Sequence, residues 1–143
     1  MTIEASWVQI SVPAAAGVTA TVMPGWWFLP EQPRGAVLVL PEVFGVNSWV
    51  RSVAERLAQE GYAALALSTF SRSAPDLDLG YDEAGLASGR EHRDRVTAEQ
   101  LLADVQAAVD WIQQSNPSLG LGCVGFCFGG HLAMFAATNP AIA

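Results

Sequence analysis

Leu119-Gly120-Leu121-Gly122-Cys123-Val124-Gly125-Phe126-Cys127-Phe128-Gly129-Gly130-His131 passes from a short apolar run through a glycine-flanked cysteine into a second apolar segment. Leu119 to Val124 predicts a buried strand, and a short helix is expected from about Gly129 to Thr138, where Asn139-Pro140 blocks its continuation. Gly125 to Gly129 is a cysteine version of the G-x-S-x-G turn, in which a strand bends sharply into a helix and lifts the central side chain onto the sheet edge. Gly125 and Gly129 remove side chains where the two backbones must approach, and Gly130 adds room. A thiol at a helix N-terminus is favoured as thiolate. The N–H of Phe128 would be free there to stabilise an oxyanion. The alternative for Cys127 is a small buried apolar residue; the strand before it and the helix after it favour the nucleophile. Cys123, within the strand, reads as core.

Working outward, Ala36-Val37-Leu38-Val39-Leu40 is an unbroken apolar run, as expected of a strand covered on both faces. Asn47 or Ser48 caps a helix through Gln59 with Val50, Val53, Ala54, Leu57 and Ala58 on one face, and Gly61 ends it. Tyr62 to Leu67 predicts a second buried strand. Thr97 with Gln100 forms a capping-box pattern that opens a helix with Leu101, Leu102, Val105, Ala108, Val109 and Ile112 on its apolar face, closed by Asn116-Pro117. Val18 to Leu29 reads as a strand or hairpin near a sheet edge. Ser68 to Val96 is expected to be irregular, rich in Ser, Pro, Gly and Arg, and such long loops carry function more often than core. Alternating strands and helices predict an α/β fold with a mostly parallel sheet and right-handed crossovers.

The chain has 143 residues, 51% of them hydrophobic, which fits one domain with a sizeable core. A net charge of −7 argues against nucleic-acid binding, which needs a basic face. No apolar run is long enough to span a bilayer, and Met1-Thr2-Ile3-Glu4 lacks a basic leader, so a soluble protein is expected. The two cysteines make no disulfide framework and fit a reducing, cytoplasmic setting. They make no zinc site either, because zinc needs more ligands than this chain groups together. No cofactor is expected.

The elbow, together with Pro41-Glu42-Val43-Phe44-Gly45-Val46-Asn47 and Glu60-Gly61-Tyr62-Ala63-Ala64, resembles the dienelactone hydrolase family of the α/β-hydrolase superfamily, from the early strands to the last residue. The resemblance implies hydrolysis of lactone or ester bonds in a small-molecule substrate by a Cys-His-Asp triad. It makes Cys127 the nucleophile and Glu42 the family's glutamate, which contacts the thiol region at rest and helps generate thiolate when substrate binds. A carboxylate beside a thiol ordinarily raises the thiol's pKa, so Glu42 makes chemical sense only as a switchable partner; otherwise it is an exposed loop acid. By the same resemblance the N–H of Val43 is the second oxyanion donor, and Arg90 lies where an arginine clamps the substrate carboxylate. Arg93 and Arg95 leave that spacing ambiguous, and a solvated basic stretch is the alternative. The family's Asp and His have no counterpart after Cys127, where no Asp or Glu occurs and His131 is the single histidine. A substitute-base role is not expected of His131 or of His92; His131 is expected to pack under the elbow. The domain is therefore expected to be C-terminally incomplete, truncated after the elbow helix and inactive alone, with the last strand an open apolar edge. The competing reading is a non-catalytic short product, or half of a split enzyme, that associates through that edge.

Overall fold

The computed structural model describes residues 1–143. Two antiparallel strands, β1 (Ile3–Val12) and β2 (Thr21–Pro30), precede β3 (Ala36–Leu40), α1 (Ser48–Gln59) and β4 (Ala63–Leu67). Then follow α2 (Glu83–Arg93), α3 (Ala98–Ser115), β5 (Leu121–Gly125) and α4 (Phe128–Ala136). The five strands form one sheet in the order β1-β2-β4-β3-β5. β3 pairs in parallel with β4 and with β5, whereas β1–β2 and β2–β4 are antiparallel. The α/β expectation holds, with a mixed sheet, because the hairpin extends the parallel strands on one side.

β3 and β4 are the centre of the molecule, and Leu38, Val39, Leu40 and Leu65 are fully buried. One sheet face is covered by α3 and α4 through Leu101, Val105, Val109, Ile112 and Leu132. The other is covered by α1 through Val50, Ala54 and Ala58. Asn47 caps α1 by accepting from Val50 N at 3.0 Å, and Thr97 caps α3 by accepting from Gln100 N at 3.2 Å. Gly61 takes φ 92° just after α1, the left-handed conformation that a helix end commonly requires.

Four expectations need correction or refinement. Of the two readings of Val18–Leu29 the strand holds, as β2, and its hairpin partner is a full strand before it, Ile3–Val12, that the sequence did not reveal. The segment after β4 is not wholly irregular, since α2 lies inside it, capped by Asp82, whose carboxylate accepts from Gly85 N at 2.7 Å. Leu102 does not belong to the buried face of α3; it is 39% exposed, displaced from the stripe by the 3.6-residue repeat. The outer edge of β5 is not bare along its whole length either. Ile142 bridges Leu121 in parallel, and Ala143 N donates to Leu121 O at 2.9 Å. No helix is long and apolar enough to cross a membrane.

Candidate active site

The parallel pairing of β3 with β5 makes Leu40 and Gly125 neighbours across the sheet. The residues two steps on, Glu42 and Cys127, therefore leave the sheet side by side. Phe126 N donates to Leu40 O at 3.2 Å and ties the two exits together. The first turn of α4 then packs directly on the end of β3. A Cβ on Gly129 would collide with the carbonyl oxygens of Leu40 and Pro41, and a Cβ on Gly125 with the backbone of Gly129. Both elbow glycines are thus required by backbone-to-backbone contact.

Cys127 is the one non-glycine residue with positive φ, at φ 53° and ψ −116°. It occupies the N-cap position of α4, caps nothing with its side chain, and is exposed. Among these 143 residues Cys127 is therefore not a core residue. Cys123 is half-buried, with its thiol directed at Ala133 O at 3.7 Å, and burial pushes its pKa up. Phe128 N and Val43 N donate to no backbone acceptor. Phe128 stacks on Phe70 with ring centroids 5.8 Å apart, and Trp49 stands edge-on to Phe126 at 4.9 Å.

Glu42 is half-buried, and its carboxylate accepts from the Tyr81 hydroxyl at 2.7 Å. Its hydrogen bond is thus to a phenol, and none joins it to the Cys127 thiol. Tyr81 in turn accepts from Asn47 Nδ2 at 3.0 Å, and its ring lies 4.6 Å from that of Phe44. Burial of the hydroxyl, followed by its bond to Glu42, raises the Tyr81 pKa. Neither Tyr81 nor Asn47 stood out as a site residue in the sequence, because 39 and 34 positions separate Tyr81 from its two partners.

The three candidate arginines have three different surroundings. Arg90 is exposed on α2 and makes no salt bridge, whereas Arg93 pairs with Asp94 at 2.9 Å. Arg95 lines a cavity of about 470 Å³ with Phe70, Arg72, Ser73, His92 and Asp104. Arg72 grips Asp104 there with two hydrogen bonds of 2.9 and 3.0 Å, anchoring the start of the segment after β4 to α3. His92 Nδ1 lies 2.8 Å from Ser73 Oγ in the same cavity. His131 does not pack under the elbow. It is exposed, edge-on to Phe135 at 5.3 Å. Neither imidazole is hydrogen-bonded to Cys127.

A parallel β3–β4–β5 core, helices on both faces and a strand–cysteine–helix turn at the sheet's C-terminal edge define an α/β-hydrolase fold. Residues 23–143 match the dienelactone hydrolase family, and the chain belongs to that family. It is 38% identical over 109 residues to a Synechocystis protein provisionally named as a carboxymethylenebutenolidase, a match covering 74% of this chain and 44% of that one. It is 31% identical over 111 residues to the carboxymethylenebutenolidase of Pseudomonas putida, covering 76% of this chain and 47% of that enzyme. Among solved structures, a provisionally named dienelactone hydrolase from Klebsiella pneumoniae superposes with a TM-score of 0.76 at 30% identity, covering 99% of this chain and 57% of that one. The chain thus spans about half the length of the relatives it matches.

Proposed function

We propose that this chain carries the attacking machinery of a dienelactone-hydrolase-like enzyme that cleaves lactone or ester bonds through Cys127. The observation that carries the reading is the backbone of Cys127, an L-residue held at φ 53°. Such conformations cost about 1–3 kcal/mol and persist at sites where the surrounding structure enforces them. Here the outcome is an exposed thiol at a helix N-terminus, and the N–H groups of Phe128 and Val43 lack backbone acceptors.

The Cys127 thiolate would attack the carbonyl carbon, moving the C=O electron pair onto oxygen. The N–H groups of Val43 and Phe128 would hold that oxyanion until it collapses, breaking the C–O bond and leaving an acyl thioester on Cys127. For a lactone, the expelled alkoxide remains part of the acyl group and takes a proton from solvent. Water then cleaves the thioester to release the acid and restore the thiol. Glu42, standing beside the thiol at the adjacent strand exit, is the switchable partner in this scheme. Arg90, exposed and without a salt bridge, supports a substrate bearing a carboxylate. The name of the Pseudomonas putida relative supports a butenolide-type lactone as that substrate class. Residues 128–143 hold no Asp or Glu, and neither His92 nor His131 is hydrogen-bonded to Cys127, so in an assay of these 143 residues leaving-group protonation and water activation fall to solvent.

The expected behaviour is therefore acylation without sustained turnover. Incubation with p-nitrophenyl acetate, followed by peptide mass spectrometry, should place one acetyl group on Cys127, with Cys127→Ala left unlabelled there. Continued p-nitrophenol release should not exceed that of Cys127→Ala. Labelling of Cys123 alone would overturn the nucleophile assignment. Sustained Cys127-dependent turnover would overturn the assignment of proton transfer to solvent.

A further inference from the structure

The loop from Glu42 to Gly45 is gripped residue by residue by the segment that follows β4. Glu42 receives the Tyr81 hydroxyl, Val43 O lies against Gly89 of α2, Phe44 O accepts from Leu79 N at 2.9 Å, and Gly45 bridges Asp78. Gly45 sits at φ 85°, and a Cβ there would collide with Leu77 O. Within this clasp the direction of one proton is fixed. Asn47 uses Oδ1 to cap α1, which leaves its Nδ2 to face Tyr81 as a donor. The Tyr81 oxygen must accept that bond, so its single proton points at Glu42.

We propose that Tyr81 is the positioning residue of this site: its hydroxyl, oriented by Asn47, parks the Glu42 carboxylate and keeps it from bonding to the Cys127 thiol. The proposal rests on the reading of Cys127 as nucleophile and Glu42 as its switchable neighbour. A carboxylate free to reach the thiol would raise the thiol's pKa twice over, by its charge and by accepting the S–H bond. With one oxygen committed to a phenol, the same carboxylate does so less. Tyr81 is suited to the task, because burial and Glu42 together raise its pKa and keep it a donor. Besides Glu42, the charge acting on Tyr81 is Asp78, which has Arg51 of α1 at 3.9 Å; Arg90 is carried by α2 and His131 by α4.

The test is the pH dependence of iodoacetamide alkylation at Cys127, read by peptide mass spectrometry with Cys123 as internal reference. Glu42→Gln should lower the alkylation midpoint. Tyr81→Phe should raise it, slowing Cys127 about threefold below the midpoint, the size of a modest hydrogen bond. In a Glu42→Gln background, Tyr81→Phe should have no further effect. If Glu42→Gln moves the midpoint and Tyr81→Phe does not, the positioning role is overturned while the Glu42 reading stands. If Glu42→Gln itself moves nothing, the Glu42 reading fails and takes this proposal with it. A Tyr81→Phe shift that persists without Glu42 would overturn the route through the carboxylate. Tyr81 is 59% exposed, and phenylalanine keeps the ring against Phe44, so the variant is expected to fold. Should it unfold, Asn47→Ser keeps the α1 cap but removes the donor that orients the hydroxyl. It should raise the midpoint in the same direction, and an unchanged midpoint would count against the proposal.

Discussion

Two loops leave the C-terminal ends of adjacent parallel strands, and they are held in opposite ways. The elbow after β5 is exposed at Cys127 and fixed by its own glycines, which let α4 sit on the end of β3. The loop after β3 has Val43, Val46 and Asn47 buried and is fixed from outside, by a segment 32 to 46 positions further along the chain, from Gly45 against Leu77 to Val43 against Gly89. One side of the site is therefore shaped by local steric permission and the other by a long-range clasp. The contrast also separates the proposed chemistry, since a strained backbone presents the Cys127 thiol while borrowed contacts hold Glu42 and the proposed oxyanion donor Val43.

Replacing Gly129 with valine attacks the local device and should have the largest effect. Its Cβ meets carbonyl oxygens that cannot yield, so a loss of about 3 kcal/mol or more is expected in urea unfolding, together with loss of Cys127 acetylation. Gly89→Ala attacks the clasp instead. Its Cβ would meet the backbone of Val43, and a loss of about 2 kcal/mol is expected after the better helix propensity of alanine is counted. The two devices separate kinetically as well. Gly89→Ala should slow acetylation of Cys127, which needs an oxyanion donor, while alkylation, which needs none, keeps its rate. Equal slowing of both reactions would show that the clasp also shapes the elbow.

The smallest effect concerns the root of the clasp. Burial holds the Asp104 carboxyl above the usual range, with Arg72 pulling it down less strongly. A folded-state pKa above the unfolded one means that the folded protein holds the proton to higher pH. Stability contributed by this group is then present below the unfolded pKa and is lost as pH rises through the folded one. Thermal melts across the acid range should show the protein losing stability relative to Asp104→Asn as pH rises. A gain in stability relative to Asp104→Asn as pH rises would mean that the bidentate pair with Arg72 outweighs burial.

How much of this was legible in the sequence follows the same division. β3, β4, α1 and α3 could be read because their burial is apolar and periodic and their caps, Asn47 and Thr97, are of the expected type. The elbow could be read because its glycines are adjacent to the residue they serve. β1 was hidden because it exposes most of one edge-strand face, with only Ile10 and Val12 fully buried. α2 was hidden for a different reason. The residues it buries are Gly85 and Gly89, so its contact face carries no apolar stripe and its glycines read as loop. The Asn47–Tyr81–Glu42 chain left no local trace, since each member looks ordinary until the clasp closes. Arg90 was placed on α2 only by the fold, and its exposure distinguishes it from the paired Arg93.

The edge-to-face pair of Trp49 and Phe126 has an optical consequence. Trp7 and Trp26 neighbour each other on the hairpin, and Trp27 meets Trp111 of α3 edge-on. Trp49 alone among the indoles rests on the residue next to Cys127, and it is 40% exposed. A chromophore attached to that thiol would sit within energy-transfer range of a native donor. The protein therefore carries its own fluorimeter at the elbow, able to time the arrival and departure of a coloured acyl group with no added dye.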